Sequence, residues 1–295
     1  MHHLITKAGR KMIGAIIGDI VGSRFEWDNC RSKDFELLTQ DCFFTDDSVM
    51  SLAVCDAVLR AQRVLRARGV LRVGKDLDAL SQAAVESMQR IGRPYPNCGY
   101  GGSFYHWMYS DDPQPYTSYG NGAAMRVSGC GFAANTLEEA IALSHAVTRV
   151  THNHPEGLKG AEATAAAVFM AKSGSSLTEI REYIVTRYYQ ISFTLDSIRD
   201  TYQFNETCQD TVPQALEAFF ESTGFEDAIR NAVSIGGDSD TLAAITGGIA
   251  EAYWGVPGAL RERALAFLDE RLLNILLEFE RAYPPRQREE PNRLA

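Results

Sequence analysis

Apolar residues recur along this chain at spacings of three and four, which gathers them on one face of successive α-helices. From Met12 to Gly22 the run is almost wholly apolar, and Gly14, Gly18 and Gly22 repeat every four positions. That rhythm lets a second helix approach closely inside a core. Val49 to Leu65 keeps helical period through Val49, Leu52, Ala53, Ala57 and Leu59 and stops at Gly69. Further helical patterns run over Leu77 to Ile91, Leu137 to Arg149, Glu156 to Ser173, Leu177 to Tyr189, Val212 to Ser222, Phe225 to Val233, Asp240 to Trp254 and Gly258 to Phe279. Thr136 reads as the cap of its helix, and Thr211-Val212-Pro213 and Thr223-Gly224 read as helix boundaries. Gly92 to Gly102, dense in glycine and proline, is a loop. There is no strand alternation, internal repeat or low-complexity tract. The pattern predicts an all-α fold in one compact domain over 12–283, after a disordered leader over 1–11 and before a frayed polar tail over 284–295.

Composition narrows the function classes. A hydrophobic content of 45% supports a large core, while a formal net charge of −9 excludes a general nucleic-acid binder or a binder of anionic membranes, which need basic surface. Arg60, Arg63, Arg66, Arg68, Arg72 and Lys75 cluster at one helix end and read as a solvated face. The six cysteines form no Cys-x-x-Cys pair, so reduced thiols in a cytoplasmic protein are expected rather than a zinc or disulfide framework. Asp19 ends the first apolar run too early for a signal peptide, and no stretch approaches the roughly 20 apolar residues that span a bilayer. No heptad seam appears, so a monomer is expected.

Two polar blocks each open an apolar helix: Phe44-Thr45-Asp46-Asp47-Ser48 and Ser234-Ile235-Gly236-Gly237-Asp238-Ser239-Asp240-Thr241. Either alone is explained by helix capping. A cap needs one oxygen, however, and Asp46, Asp47, Asp238 and Asp240 with Thr45 and Thr241 bring four carboxylates and two hydroxyls. These are hard ligands suited to Mg²⁺, Mn²⁺ or Ca²⁺, and facing acid blocks would repel without a cation. The spacing is not that of an EF-hand. Gly120-Asn121-Gly122 is a turn before a helix, where backbone N–H groups can approach a phosphate. His152 and His154, two apart, cannot share a helical face as a zinc pair and belong to a connecting loop.

The two acid blocks, with Gly18-Asp19-Ile20-Val21-Gly22-Ser23-Arg24-Phe25-Glu26 upstream, resemble the ADP-ribosylglycohydrolase family over roughly residues 12–280. The resemblance implies an orthogonal helical bundle with a dinuclear metal site, in which Thr45, Asp46, Asp47, Asp238, Asp240 and Thr241 bind two divalent cations, Mg²⁺ or Mn²⁺. Ser48 stands where the family often has threonine. The stretch Gly120-Asn121-Gly122-Ala123-Ala124-Met125-Arg126 matches the family's Gly-Asn-Gly-x-x-Met-Arg. It implies that Ser118, Tyr119, Gly120, Asn121 and Gly122 border the diphosphate and distal ribose of ADP-ribose, with His152 near the phosphates and Tyr100 also at the substrate. The implied reaction hydrolyses the bond between the ribose anomeric carbon and a modified protein side chain or small molecule, releasing ADP-ribose. Glu26 or Asp47 would handle the proton of the water. With Glu26, five carboxylates against two divalent ions leave the centre about one unit negative, suited to an oxocarbenium-like transition state. Two other readings keep this fold: a non-catalytic ADP-ribose-binding relative, against which the complete acid set argues, and a dinuclear phosphohydrolase that cleaves the diphosphate. The motifs leave the acceptor open among arginine, serine, an ester and a nucleic-acid base.

Overall fold

A computed structural model describes residues 12–67 and 76–284, apart from the side chain of Arg66. The leader over 1–11, the tail beyond 284 and the basic residues Arg68, Arg72 and Lys75 lie outside the described residues. The helices run in the order α1 (Gly14–Gly22), α2 (Asp46–Ala67), α3 (Leu77–Gly92), α4 (Gly102–Tyr109), α5 (Gly122–Met125), α6 (Ser128–Ala133), α7 (Leu137–Thr148) and α8 (Pro155–Ser173). They continue as α9 (Leu177–Arg187), α10 (Leu195–Ile198), α11 (Cys208–Phe220), α12 (Phe225–Ser234), α13 (Ser239–Trp254), α14 (Gly258–Leu265) and α15 (Glu270–Ala282). No strand is present among the described residues, where a single isolated bridge joins Gly120 and Thr207.

The fold is built on α1 against α13. Every residue of α1 is buried, and its glycine rhythm is what lets α13 lie on it. A Cβ on Gly18 would overlap the Ala243 carbonyl, one on Gly14 would overlap that of Gly247, and one on Gly22 would come 2.5 Å from the Asp240 Cα. Around this pair, α8, α11 and α12 pack on α13, while α2 packs on α3 and α15. The first and the last thirds of the chain are thereby brought together, and with them the two acid blocks.

Several elements differ from the periodicity reading, each for a local reason. The helix expected from Val49 begins at Asp46, so both aspartates occupy its first turn, where the helix dipole favours carboxylates. The single helix expected over Gly258 to Phe279 is two, because Asp269 accepts from the Leu272 N–H at 2.9 Å and caps a new start. Pro213 lies inside α11, the sixth of its 13 residues, rather than at its boundary, and its missing N–H leaves one helical bond unmade. The short helices α4, α6 and α10 offer too few turns to register as a period. Thr136 caps α7 as expected, accepting from the Glu139 N–H at 3.1 Å. All six cysteines are free. Arg60 pairs with Glu86 and Arg63 with Glu278 on the solvated face anticipated for the basic cluster. No helix among the described residues is long and apolar enough to cross a membrane.

Candidate active site

The start of α2 is organised by a residue from another helix. Asp19, fully buried on α1, accepts from the Thr45 N–H at 2.9 Å, the Ser48 N–H at 3.0 Å and the Thr45 hydroxyl at 2.6 Å. One carboxylate thus satisfies two of the N–H groups that a helix start leaves open, and it also fixes the Thr45 side chain. The Thr241 hydroxyl, at the start of α13, donates to Asp47 Oδ2 at 3.1 Å and ties the two acid blocks together. Each threonine directs its proton to a carboxylate, which leaves its oxygen an acceptor. Asp47 Oδ1 is buried with no hydrogen-bond partner.

Glu26 follows the short 3-10 turn Ser23–Phe25 and sits half-buried beside α13. Oxygens of Glu26, Asp238 and Asp240 lie within 4.8 Å of one another. A staple holds this arrangement. The Asn29 amide donates to the carbonyls of Phe25 at 2.8 Å, Glu26 at 3.0 Å and Gly237 at 3.0 Å, and its oxygen accepts from the Gly237 N–H at 2.8 Å. Arg31 donates to the Ile235 carbonyl at 2.6 Å and the Tyr202 carbonyl at 2.7 Å. Gly236 and Gly237 both have positive φ, +68° and +77°, the turn that swings Asp238 toward the cleft.

The acid blocks and Glu26 line a cleft of about 450 Å³. Thr45, Asp46, Asp47, Asp238, Asp240, Thr241 and Glu26 meet there, and Ser118, Tyr119, Gly120, Asn121, Gly122 and His152 line the same cleft. The Asn121 amide bridges the two, donating to Asp238 Oδ2 at 2.7 Å and Thr211 Oγ1 at 3.2 Å. Ser118 Oγ accepts from the Gly120 N–H at 3.1 Å. His154 is not in the wall but caps α8, accepting from the Glu156 N–H. Tyr100 departs from expectation: it is not among the lining residues, since its ring packs on Phe104 and its hydroxyl turns to the Gly92 carbonyl at 3.4 Å. Its phenol is used to fasten the 92–102 loop to the core.

The structure adds groups that sequence reasoning passed over. Asp19 carried a signal, being a lone acid in an apolar helix. Phe204 and Glu206 lie in the segment after α10, which has no helical period, and reach the cleft because that segment pairs with the Gly-Asn-Gly turn: Asn121 N–H donates to the Glu206 carbonyl at 2.7 Å and Cys208 N–H to the Tyr119 carbonyl at 3.0 Å. Trp27 stacks on Phe204 with ring centroids 4.9 Å apart. Arg126 lines the cleft from beneath.

Crowding sets the electrostatics. Burial first, and the Asp240 and Asp19 charges next, push Glu26 up to about 7. Burial likewise raises Asp238 to about 6 and holds Asp46, Asp47 and Asp240 well above the ordinary carboxylate range, each facing neighbouring acids. Like charges packed this closely protonate unless a cation joins them. With an orphaned carboxylate oxygen and two threonine acceptors in the same cleft, the donor set fits a hard divalent cation.

An all-helical bundle that gathers acid blocks from both ends of the chain into one cleft defines a class, and the comparisons name it. The family model for ADP-ribosylglycohydrolase matches residues 3–289, and the chain belongs to that family. It is 24% identical to the ADP-ribosylhydrolase ARH3 of Xenopus tropicalis, over 83% of this chain and 86% of that one. It is likewise 24% identical to the ADP-ribosylarginine hydrolase Tri1 of Pseudomonas putida (strain GB-1), over 86% of this chain and 72% of Tri1. A solved structure described as an ADP-ribosylglycohydrolase-related protein complex shares the fold, with a TM-score of 0.62 at 24% identity over 91% of this chain and 95% of that one.

Proposed function

We propose that this protein is a metal-dependent ADP-ribosylhydrolase that releases ADP-ribose from a modified acceptor. The observation that carries the reading is the paired use of the threonines. Thr45 and Thr241 each give their proton to a carboxylate inside an acid cleft, so that oxygens converge there with Asp47 Oδ1 left unpartnered. Thr45, Asp46, Asp47, Asp238, Asp240 and Thr241 would hold two divalent cations, Mg²⁺ or Mn²⁺, which supply Lewis acidity toward ribose hydroxyls and a water. Glu26 takes the proton of the attacking water. It is half-buried at the edge of the cleft, whereas Asp47 is buried and engaged by Thr241. Asn121 orients Asp238, and the Ser118–Gly122 turn with His152 forms the wall for the diphosphate.

The names of the relatives support ADP-ribosylated substrates, and their two names differ over whether an acceptor is specified. The test is incubation with ADP-ribosylated substrates linked through arginine, serine and ester bonds, with Mg²⁺, with Mn²⁺ and with chelator. Metal-dependent release of ADP-ribose from one linkage is expected. Tight ADP-ribose binding without release would instead indicate a non-catalytic binder, and AMP among the products a phosphohydrolase. Asp240→Asn at saturating Mg²⁺ is expected to lose on the order of a thousandfold in activity, the several kcal/mol that a cation contributes; retention of full activity would remove the metal assignment.

A further inference from the structure

Arg126 is the largest fully buried side chain among the described residues, 1% exposed, yet no carboxylate among them pairs with it, and its Nε has no partner. A buried guanidinium without a counter-charge calls for another account. Its Nη2 donates to Thr151 Oγ1 at 2.6 Å and lies 3.3 Å from His152 Nδ1, while Thr151 Oγ1 is 2.7 Å from that same nitrogen. Arginine has donors and no acceptor. A proton on His152 Nδ1 would face an N–H, so Nδ1 accepts, and Nε2 carries the ring proton. Nε2 faces the glycine turn: a Cβ at Gly120 would lie 3.5 Å from it and one at Gly122 3.4 Å, ordinary contact distances that set the imidazole edge against the turn.

We infer that Arg126 is a positioning residue, which holds His152 in the Nε2–H tautomer with that proton presented to the Gly120–Gly122 turn, where it meets an anionic oxygen of the ligand. The ligand's being the diphosphate of ADP-ribose rests on the function proposed above; the tautomer does not. Burial and the Arg126 charge keep the imidazole neutral, so it acts as a directional donor. Arg126, which lines the same cleft, contributes the fixed positive charge.

The test is long-range proton–nitrogen NMR on ¹⁵N-histidine-labelled protein, with the His152 signals assigned by their loss in His152→Gln. An unprotonated Nδ1 and a protonated Nε2 at pH 7 are expected; a protonated Nδ1 in the wild type overturns the inference, and this result needs no arginine variant to fold. Arg126→Lys, which still donates, is expected to keep the tautomer, whereas Arg126→Met mixes the two forms and weakens ADP-ribose binding about tenfold, the loss of one charge-assisted hydrogen bond. A Met variant that keeps both the tautomer and the wild-type affinity overturns the role of Arg126. If the wild type binds no ADP-ribose at all, the functional reading falls, and with it the ligand, while the NMR result still decides the tautomer.

Discussion

Asp19 does not itself line the cleft, yet its carboxylate accepts three hydrogen bonds that set Thr45 and the first turn of α2. Asp19→Asn keeps the shape but turns one acceptor oxygen into a donor facing N–H and O–H groups. Activity at limiting Mg²⁺ is expected to drop about 10–100-fold, as for outer-shell partners of metal ligands, and to recover in part as Mg²⁺ is raised; a Mg²⁺ titration of activity checks it. An unchanged titration would mean that Thr45 needs no orientation. At this scale the acid blocks were legible because four carboxylates at two helix starts exceed what capping requires. Asp19 and Arg126 were not, because one buried charge in an apolar run says that it has a partner without saying which. Tyr100, expected at the substrate, packs on Phe104 instead of lining the cleft, an orientation that a tyrosine in a glycine-rich loop does not declare in its sequence.

Between elements, the decisive contact is that of α1 with α13, where backbone meets backbone at Gly14, Gly18 and Gly22. Gly18→Ala forces a methyl into the Ala243 carbonyl. It is expected to destabilise the fold by about 3 kcal/mol, at the upper end of overpacking costs, measured by denaturant unfolding. Because Asp240 rides on α13 and Asp19 on α1, the folded fraction that remains is also expected to bind Mg²⁺ more weakly. The close packing of these helices was legible from the four-residue glycine rhythm, as were the long amphipathic helices from their period. The break at Asp269 was not, since an aspartate between two apolar stretches fits a solvent-facing helical position as well as a cap. The cleft wall at Phe204 and Glu206 was illegible because it is a loop ordered by pairing with a distant turn, and such pairing leaves no periodic trace.

Over the whole molecule, the raised carboxylates reverse the usual pH dependence of stability. Glu26 moves from 4.5 to about 7 and Asp238 from 3.8 to about 6 on folding. Between those limits the native state binds more protons than the unfolded chain, so stability is fully present below about pH 4 and is lost as pH rises through about 6 to 7. Without metal, the melting temperature is expected to be several degrees higher at pH 5.5 than at pH 8, most of it from the buried aspartates since Glu26 is half-solvated. Millimolar Mg²⁺ is expected to reverse that order at pH 8 by binding only the folded form; calorimetry at the two pH values, with and without Mg²⁺, checks both signs. The bond that joins the two acid blocks, Thr241 to Asp47, spans 194 residues. At a synthesis rate of roughly 5–20 residues per second, Thr241 leaves the ribosome about 10–40 s after Asp47. For that interval the nascent chain carries half a cleft and a glycine-lined helix with nothing to lie on. The cleft therefore closes only on chains translated through α13, since a chain that stops before it lacks Asp240 and Thr241.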